Sequence, residues 1–527
     1  MEHVERGKAN DPSERRDDKL VAALDVGTTG CRTILFDLDG TERARAYAEW
    51  TSKYPKPAWV EQDAEGWWNS LKRTIGAALS KLGGHGAASR VCGVAVTNQR
   101  ETIVPVDASG KPLAPAIVWQ DRRTAEECAF IKEAVGEREV YETTGLTVDP
   151  YFSGSKILWF RRHRPEVYEK TAKFLLVHDY VAFKLTGRFV TDHSNASRTM
   201  LFDVRRRTWS DDVAEALDLD LDKMPEAVAP GTVVGEVTAD DAGFARGTPV
   251  VAGAGDQQCA ALGVGVVEPG RLKCTTGTGS FVLSYLDQPK FDATRRVLCS
   301  CHAVPDAWVN EGSIFTTGAV LRWARDVLGA EERAAAKERG VDPYEVMTEL
   351  AASSPPGANG LLLVPHFMGA GCPHWNPDAR GVLFGLALGH TRADVYRAVL
   401  EGVAFEVKQA VEIFSALGPP AKEVRLTGGG SRSDLWNQIM ADVLAVPCLR
   451  GEVEESTAVG AAILAAHGAG EFQDVRKAAE KLARISKSWQ PRLDASAKYG
   501  RLYSVARDLY RAISGAGLYA SLARAID

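Results

Sequence analysis

The sequence predicts an α/β protein built from two duplicated domains, and three observations lead there. Short runs rich in Val, Ile and Leu alternate along the chain with longer segments of helical period, as strands and helices packed in layers do. A strand-turn-strand stretch near the start, "LVAALDVGTTGCRTILFDLDG" from Leu20 to Gly40, is echoed by "RLKCTTGTGSFVLSYLD" from Arg271 to Asp287. The chain has 527 residues, more than a single hydrophobic core ordinarily supports.

Composition narrows the function classes. With 45% apolar and 25% charged residues and a net charge of -6, the chain is of globular type. It lacks the basic footprint of a nucleic-acid or anionic-membrane binder. A small-molecule partner is the expectation. Nine cysteines, an odd number in a long chain, read as reduced thiols rather than a disulfide framework. The cluster Cys299-Ser300-Cys301-His302 lacks a second ligand pair at zinc spacing. Residues 1–18 alternate charge without an apolar stretch and are expected to form a disordered tail, not a signal peptide. No apolar run approaches the ~20 residues that span a bilayer, so a soluble, cytoplasmic protein is expected.

Taken in order, the first hairpin ends its apolar run at Asp25, turns through Gly27-Thr28-Thr29-Gly30 and resumes. "RVCGVAVTNQ" and "TPVVAGAGD" are β-rich runs stopping at polar residues or glycine, and "GLLLVPHF" and "EVRLTGGG" repeat the pattern later. In "ADVYRAVLEGVAFEVKQAVEIFSAL", Val395, Val399, Val403, Val407 and Val411 recur every fourth residue, the stripe of a buried helix. "EVRLTGGGSRSDLWNQIMADVLAVP" reads as strand, glycine turn, then a helix starting near Ser433 or Asp434, with Ser433 a candidate N-cap.

A single Gly/Thr hairpin is ordinary turn chemistry. Two of them, each near the start of a proposed domain, suggest two turns that meet one ligand across a central cleft. Backbone N–H groups and threonine hydroxyls converging at a point suit a polyphosphate. A carboxylate at the mouth of the first turn, Asp25, suits the Mg²⁺ that accompanies phosphate, directly or through its water shell. Glycines at Gly428 to Gly430 permit close approach of a flat ring or a phosphate. A dinucleotide oxidoreductase is disfavoured, because Gly253-x-Gly255 lacks the third glycine of the fingerprint and lies far from the chain start.

"YFSGSKILWFRRH" (Tyr151 to His163) and "GVLFGLALGHTRADVYRAVLE" (Gly381 to Glu401) look like the two signatures of the FGGY carbohydrate kinases, members of the actin-like ATPase superfamily. With "TNQRET", "AIVWQDRRT", "DPYFSGSK", "NASRTMLFD", "GAGDQQ" and "TTGTGSF", the chain most closely resembles the glycerol kinases within that family, from about Leu20 to about Tyr510. The resemblance implies two duplicated actin-like (ribonuclease H-like) ATPase domains around a central cleft. Residues 19–265 would carry the acceptor and the base, residues 266–515 the nucleotide, and 516–527 a C-terminal tail. It implies ATP and Mg²⁺ as cofactors, glycerol as acceptor and sn-glycerol 3-phosphate as product. It also implies a homodimer or larger assembly. Another FGGY substrate of erythritol, xylulose or ribulose type is the alternative.

Carried over residue by residue, the resemblance assigns acceptor binding to Arg100, Glu101, Trp119, Tyr151, Asp256, Gln257 and Phe281, with Asp256 as the catalytic base. It assigns the nucleotide to Thr28, Thr29, Arg32, Gly277, Thr278, Gly318, Arg322, Gly429 and Ser433, and the metal to Asp25. Arg donors, carboxylate acceptors and aromatic walls are what a small polyol asks for. Val26 stands where a glutamine is common in the glycerol kinases, Arg322 where glutamine is common and Ser433 where asparagine is common. The stretch "EGSIFTTGAVLRW" and the one around Gly429 look closer to xylulokinase-like members.

Overall fold

A computed structural model describes residues 18–526 of the chain, so almost all of the tail expected at residues 1–18 lies outside the described residues. Two compact units emerge. Of the described residues, the first comprises 18–265, 300–306 and 455–482, and the second 266–299, 307–454 and 483–526.

The first unit is organised on a six-stranded sheet. Its strands are β1 (Leu20–Val26), β2 (Gly30–Asp37), β3 (Glu42–Glu49), β4 (Val91–Asn98), β5 (Val233–Glu236) and β6 (Pro249–Gly255), in the order β5-β6-β4-β1-β2-β3. Strands β1, β4 and β6 run parallel, and β2, β3 and β5 pair antiparallel with their neighbours. The apolar runs of β1 and β4 are buried along nearly their whole length, as expected of strands covered on both faces. One face carries the helix Ala64–Ser80, capped by Asp63 and burying Trp67, Trp68, Leu71 and Ile75. The other carries the helix Ser456–Gly468, which packs on β1, β4 and β6. That helix is apolar around its circumference and buried from Ala458 to Ala466, so it is stable only between two layers.

The second unit repeats the plan with β7 (Arg271–Thr276), β8 (Ser280–Leu286), β9 (Trp308–Ile314), β10 (Glu423–Thr427), β11 (Cys448–Gly451) and β12 (Ile485–Trp489). These strands follow the order β9-β8-β7-β10-β11-β12, with β7, β10 and β11 parallel and the rest antiparallel. Five strands correspond in order and direction, β3-β2-β1-β4-β6 and β9-β8-β7-β10-β11, so the duplication read from the two hairpins extends across both sheets. At the edges they diverge, because β5 precedes β6 in the chain whereas β12 follows β11, and the second sheet adds a seventh strand, Leu298–Cys301, beyond β9. The valine stripe lies on the 26-residue helix Arg392–Leu417. Val399, Val403 and Val407 are fully buried, and Thr391 and Asp394 close a capping box at its start.

Two features depart from the linear division at residue 265. The segments Ser300–Asp306 and Glu455–Leu482 belong to the first unit, because the apolar Ser456–Gly468 helix finds its cover there. The expected tail at 516–527 carries a helix, Leu518–Ile526, whose Tyr519 is buried with Tyr510 and Val364. All nine cysteines are free thiols. Among the described residues no helix is long and apolar enough to cross a membrane.

Candidate active site

In the first unit the functional residues gather at the carboxyl ends of β1, β4 and β6, where ligands bind in open α/β sheets. Asp25, one residue from the end of β1, pairs in register with Arg32 on β2 and Thr97 on β4. The Arg32 guanidinium lies 3.5 Å from the Asp25 carboxylate and 3.2 Å from Glu455. Burial, and to a smaller degree the Asp256 and Glu455 charges, push the Asp25 carboxyl up from the ordinary 3.8 to about 7, against the lowering effect of Arg32. Oxygen donors short of positive charge at a half-buried site suit a hard divalent cation such as Mg²⁺, and Asp25 would hold it or its water shell.

The turn after β1 closes with the Gly27 N–H donating to the Gly30 carbonyl. Gly30 is required by close approach, since a Cβ there would lie 2.4 Å from the Ala48 carbonyl. The Thr28 carbonyl accepts from Trp50 Nε1 and Gln62 Nε2, and its hydroxyl accepts from Trp119 Nε1 at 2.9 Å. Thr28 is thus tied to the predicted acceptor wall, while Thr29 at the tip is exposed.

Asp256 is the first residue of the helix Asp256–Gly263, directly after β6. Glycines set that helix against Ser456–Gly468: a Cβ on Gly460 would meet the Cys259 carbonyl at 2.0 Å, and one on Gly263 the Ser456 carbonyl at 2.0 Å. Gly255 leaves room for the Arg100 stem, which a Cβ would meet at 2.6 Å. Arg100, almost fully buried, places Nε 3.4 Å from Asp256 Oδ1 and donates Nη1 to Gln258 Oε1 at 3.3 Å.

Glu101 sits in the left-handed backbone region with φ 62°, a conformation that costs a non-glycine residue and persists where the surroundings impose it. The surroundings do so here. Glu101 Oε1 accepts from Arg198 Nε at 2.6 Å, and its carbonyl accepts from the Ser153 hydroxyl at 3.0 Å. Trp119 and Tyr151 meet edge to face at 5.6 Å, and the buried Arg198 guanidinium lies over Tyr151 and Phe152. Beneath them Lys156 donates to the carbonyls of Pro150, Tyr151 and Phe152. Its burial brings its ammonium down to about 8. Gln257, beside the base, is half-buried. Asp25, Thr28, Arg32, Arg100, Glu101, Trp119, Tyr151 and Asp256 therefore lie within one connected neighbourhood.

The predicted nucleotide residues of the second unit converge equally. Gly277, Thr278, Gly318, Arg322, Gly429 and Ser433 line a single cavity of about 770 Å³, with Tyr344, Thr348 and Trp436 among its other walls. The N–H groups of Thr317 and Ala319 donate to the Thr278 carbonyl, and that of Gly318 to the Gly277 carbonyl, stapling the turn to the start of the helix Gly318–Val327. A Cβ on Gly318 would lie 2.3 Å from the Gly277 carbonyl, whereas one on Gly429 would meet nothing within 4 Å. Gly429 therefore borders open space that a planar ring can enter. Arg322 reaches Thr278 Oγ1 at 3.3 Å. The Ser433 hydroxyl caps the helix Asp434–Leu444 by accepting from the Trp436 N–H. Phe281 is half-buried on β8 and is not part of that cavity's lining.

The N-terminal domain of the FGGY family of carbohydrate kinases matches residues 20–263, and its C-terminal domain residues 272–469. The chain belongs to this family. Its fold is that of a two-domain sugar kinase, and it is an ATP-dependent kinase. The glycerol kinase of Trichlorobacter lovleyi is 38% identical over 487 residues, 90% of this chain and 95% of that one. The xylulose kinase of Rhodospirillum rubrum superposes with a TM-score of 0.86 at 30% identity, covering 94% of this chain and 99% of that one. Plasmodium falciparum glycerol kinase with ADP superposes at 0.84 over 93% and 98% of the two chains, with 24% identity, a likeness of fold.

Sequence reasoning did not single out four residues of the candidate site. Arg198 lies inside the quoted "NASRTMLFD" block and Lys156 inside "YFSGSKILW", so each was visible without a reason to choose it. Gln258, which accepts from Arg100, is the last residue of the quoted "GAGDQQ" block and was likewise visible. Glu455, which shares Arg32 with Asp25, gave no signal, because only the folded chain brings it there.

Proposed function

We propose that this kinase transfers the γ-phosphoryl group of ATP to glycerol, yielding sn-glycerol 3-phosphate and ADP, with Asp256 as the general base. The observation that carries the reading is the buried chain Arg198–Glu101–Arg100, ending on the half-buried Asp256, beside the Trp119–Tyr151 wall. Two fixed guanidinium groups offer donors and two carboxylates offer acceptors to adjacent hydroxyls, and the aromatic faces cover a short carbon chain. Asp256 accepts the proton of the attacking hydroxyl, the oxygen bonds to the γ-phosphorus in line, and the electron pair of the broken P–O bond leaves on ADP. In the second unit the Gly277-Thr278 turn and Gly429 serve the nucleotide, and in the first unit Arg32 and Thr28 are the donors available to phosphate. Mg²⁺, when bound near Asp25, neutralises phosphate charge. The 38% identity to the Trichlorobacter glycerol kinase supports glycerol as the acceptor.

A second reading, a xylulose-type acceptor, is favoured by the 30% identity and close superposition with the Rhodospirillum enzyme. ADP release measured side by side with glycerol, erythritol, xylitol, D-xylulose and D-ribulose separates the two. Glycerol should give the highest kcat/KM, because extra hydroxymethyl groups against these walls would leave hydroxyls unpaired. A clear preference for a five-carbon compound overturns glycerol and leaves the kinase.

A further inference from the structure

Away from the nucleotide cavity, the second unit holds three side chains whose chemistry the phosphoryl transfer does not use. His366 follows the short strand Leu362–Val364, His374 lies in the loop beyond it, and Glu406 is on the helix Arg392–Leu417. One ligand atom from each lies within 4.8 Å of the others, the one such group of three His, Cys, Asp or Glu among the described residues. His366 is 3% and Glu406 5% exposed.

Their polar atoms are not satisfied by one another. Neither ring nitrogen of His366 makes a hydrogen bond, nor does Nε2 of His374 or Oε2 of Glu406, although buried polar groups nearly always find partners. His366 Nε2 and Glu406 Oε2 approach to 3.1 Å without the directions of a hydrogen bond. Two ligands of a tetrahedral ion at 2.0–2.1 Å would stand ~3.3 Å apart, so this pair is spaced as two ligands of one ion are. Gln409 Nε2 donates to the other Glu406 oxygen at 3.0 Å, which orients the carboxylate as outer-shell partners do. Tyr510 stacks on His374 with centroids 3.7 Å apart and fixes that ring.

The geometry points to a structural site for a zinc-type divalent ion held by His366, His374 and Glu406. Two imidazoles and one carboxylate are a borderline-soft donor set that suits zinc and disfavours Mg²⁺. His374, whose ligand atom lies within 4.8 Å of the other two, would complete the set by closing towards tetrahedral spacing, with a water in the fourth position. The ion would tie the loop after Leu362–Val364 to the long helix. The inference does not rest on the choice of acceptor.

The test uses the full chain, stripped with a chelator and equilibrated with Zn²⁺ and then Co²⁺. One zinc per chain by atomic emission, a rise in Tm on adding Zn²⁺, and visible d–d bands of four-coordinate cobalt are expected. His374→Gln, at a partly exposed position, should weaken zinc binding by a hundredfold or more. Gln409→Leu, which keeps all three ligands, should weaken it about ten- to a hundredfold, and it serves if His374→Gln does not fold. No retained zinc in the wild type, or affinity unchanged in the folded variant, overturns the site.

Discussion

The hairpins β1–β2 and β7–β8 occupy corresponding places in the shared part of two sheets and turn through nearly the same residues, yet their surroundings differ in charge. Around the first stand Asp25, Asp256 and Glu455 with Arg32 shared between two of them. Around the second stand the Thr276 and Thr278 hydroxyls, glycine backbone and Arg322, and the turn is bonded through its carbonyls to a helix start. A duplicated frame has therefore been given two chemistries by what is placed at its mouth. Carboxylates around the first suit a cation and a proton, and donors around the second suit phosphate oxygens.

The largest test of that contrast is Asp256→Asn. It keeps shape but cannot accept the hydroxyl proton, so kcat should fall by about 10² to 10⁴ while ATP binding persists. Near-normal turnover would remove the base from the first unit.

Next comes the pH dependence of the metal-free, ligand-free protein. The folded state raises the Asp25 carboxyl from 3.8 to about 7. Its contribution to stability is therefore fully present below about pH 4 and lost as pH rises through 7, an effect of up to about 4 kcal/mol. Asp25→Asn should melt higher than wild type above pH 7, with the gap shrinking towards pH 4. Parallel melting profiles would show that the first hairpin is no more strained by charge than the second.

Arg100→Ala comes third. A lost partner to a charged group costs about 1.5–3 kcal/mol, so kcat/KM for the acceptor should drop roughly ten- to a hundredfold with the KM for ATP nearly unchanged. An equal rise in the ATP KM would blur the division between the two units.

The smallest effect belongs to a pair of adjacent glycines. Gly428 has φ +77° and a Cβ there would lie 2.6 Å from the Thr276 carbonyl, whereas Gly429 faces open space. Gly429→Ala should leave Tm unchanged and raise the ATP KM several-fold. Gly428→Ala should lower Tm, because an L residue there is strained. Equal loss of stability in both would mean that Gly429 serves the turn and not the nucleotide.

Much of this was legible before folding, for a physical reason. Strand and helix period, the Gly/Thr turns and the N-cap at Ser433 are written in short stretches, and local sterics and hydrogen bonding decide them. The alternation around Leu20 and Arg271, the valine stripe and the quoted family blocks accordingly led to the fold and named most of the residues gathered at the candidate site. What depended on contacts remote in sequence could not be read. The transfer of Glu455–Leu482 to the first unit depends on a helix finding two faces to bury. The grip of Arg198 on Glu101 spans 97 positions, the share of Glu455 in Arg32 spans 423, and the left-handed backbone at Glu101 is imposed by its packed neighbours. The sequence by itself determined the elements and the chemical types brought to the site. Only the tertiary structure decided which charges meet, because burial and distance, not order along the chain, set the energy of an ion pair and the acidity of a carboxyl.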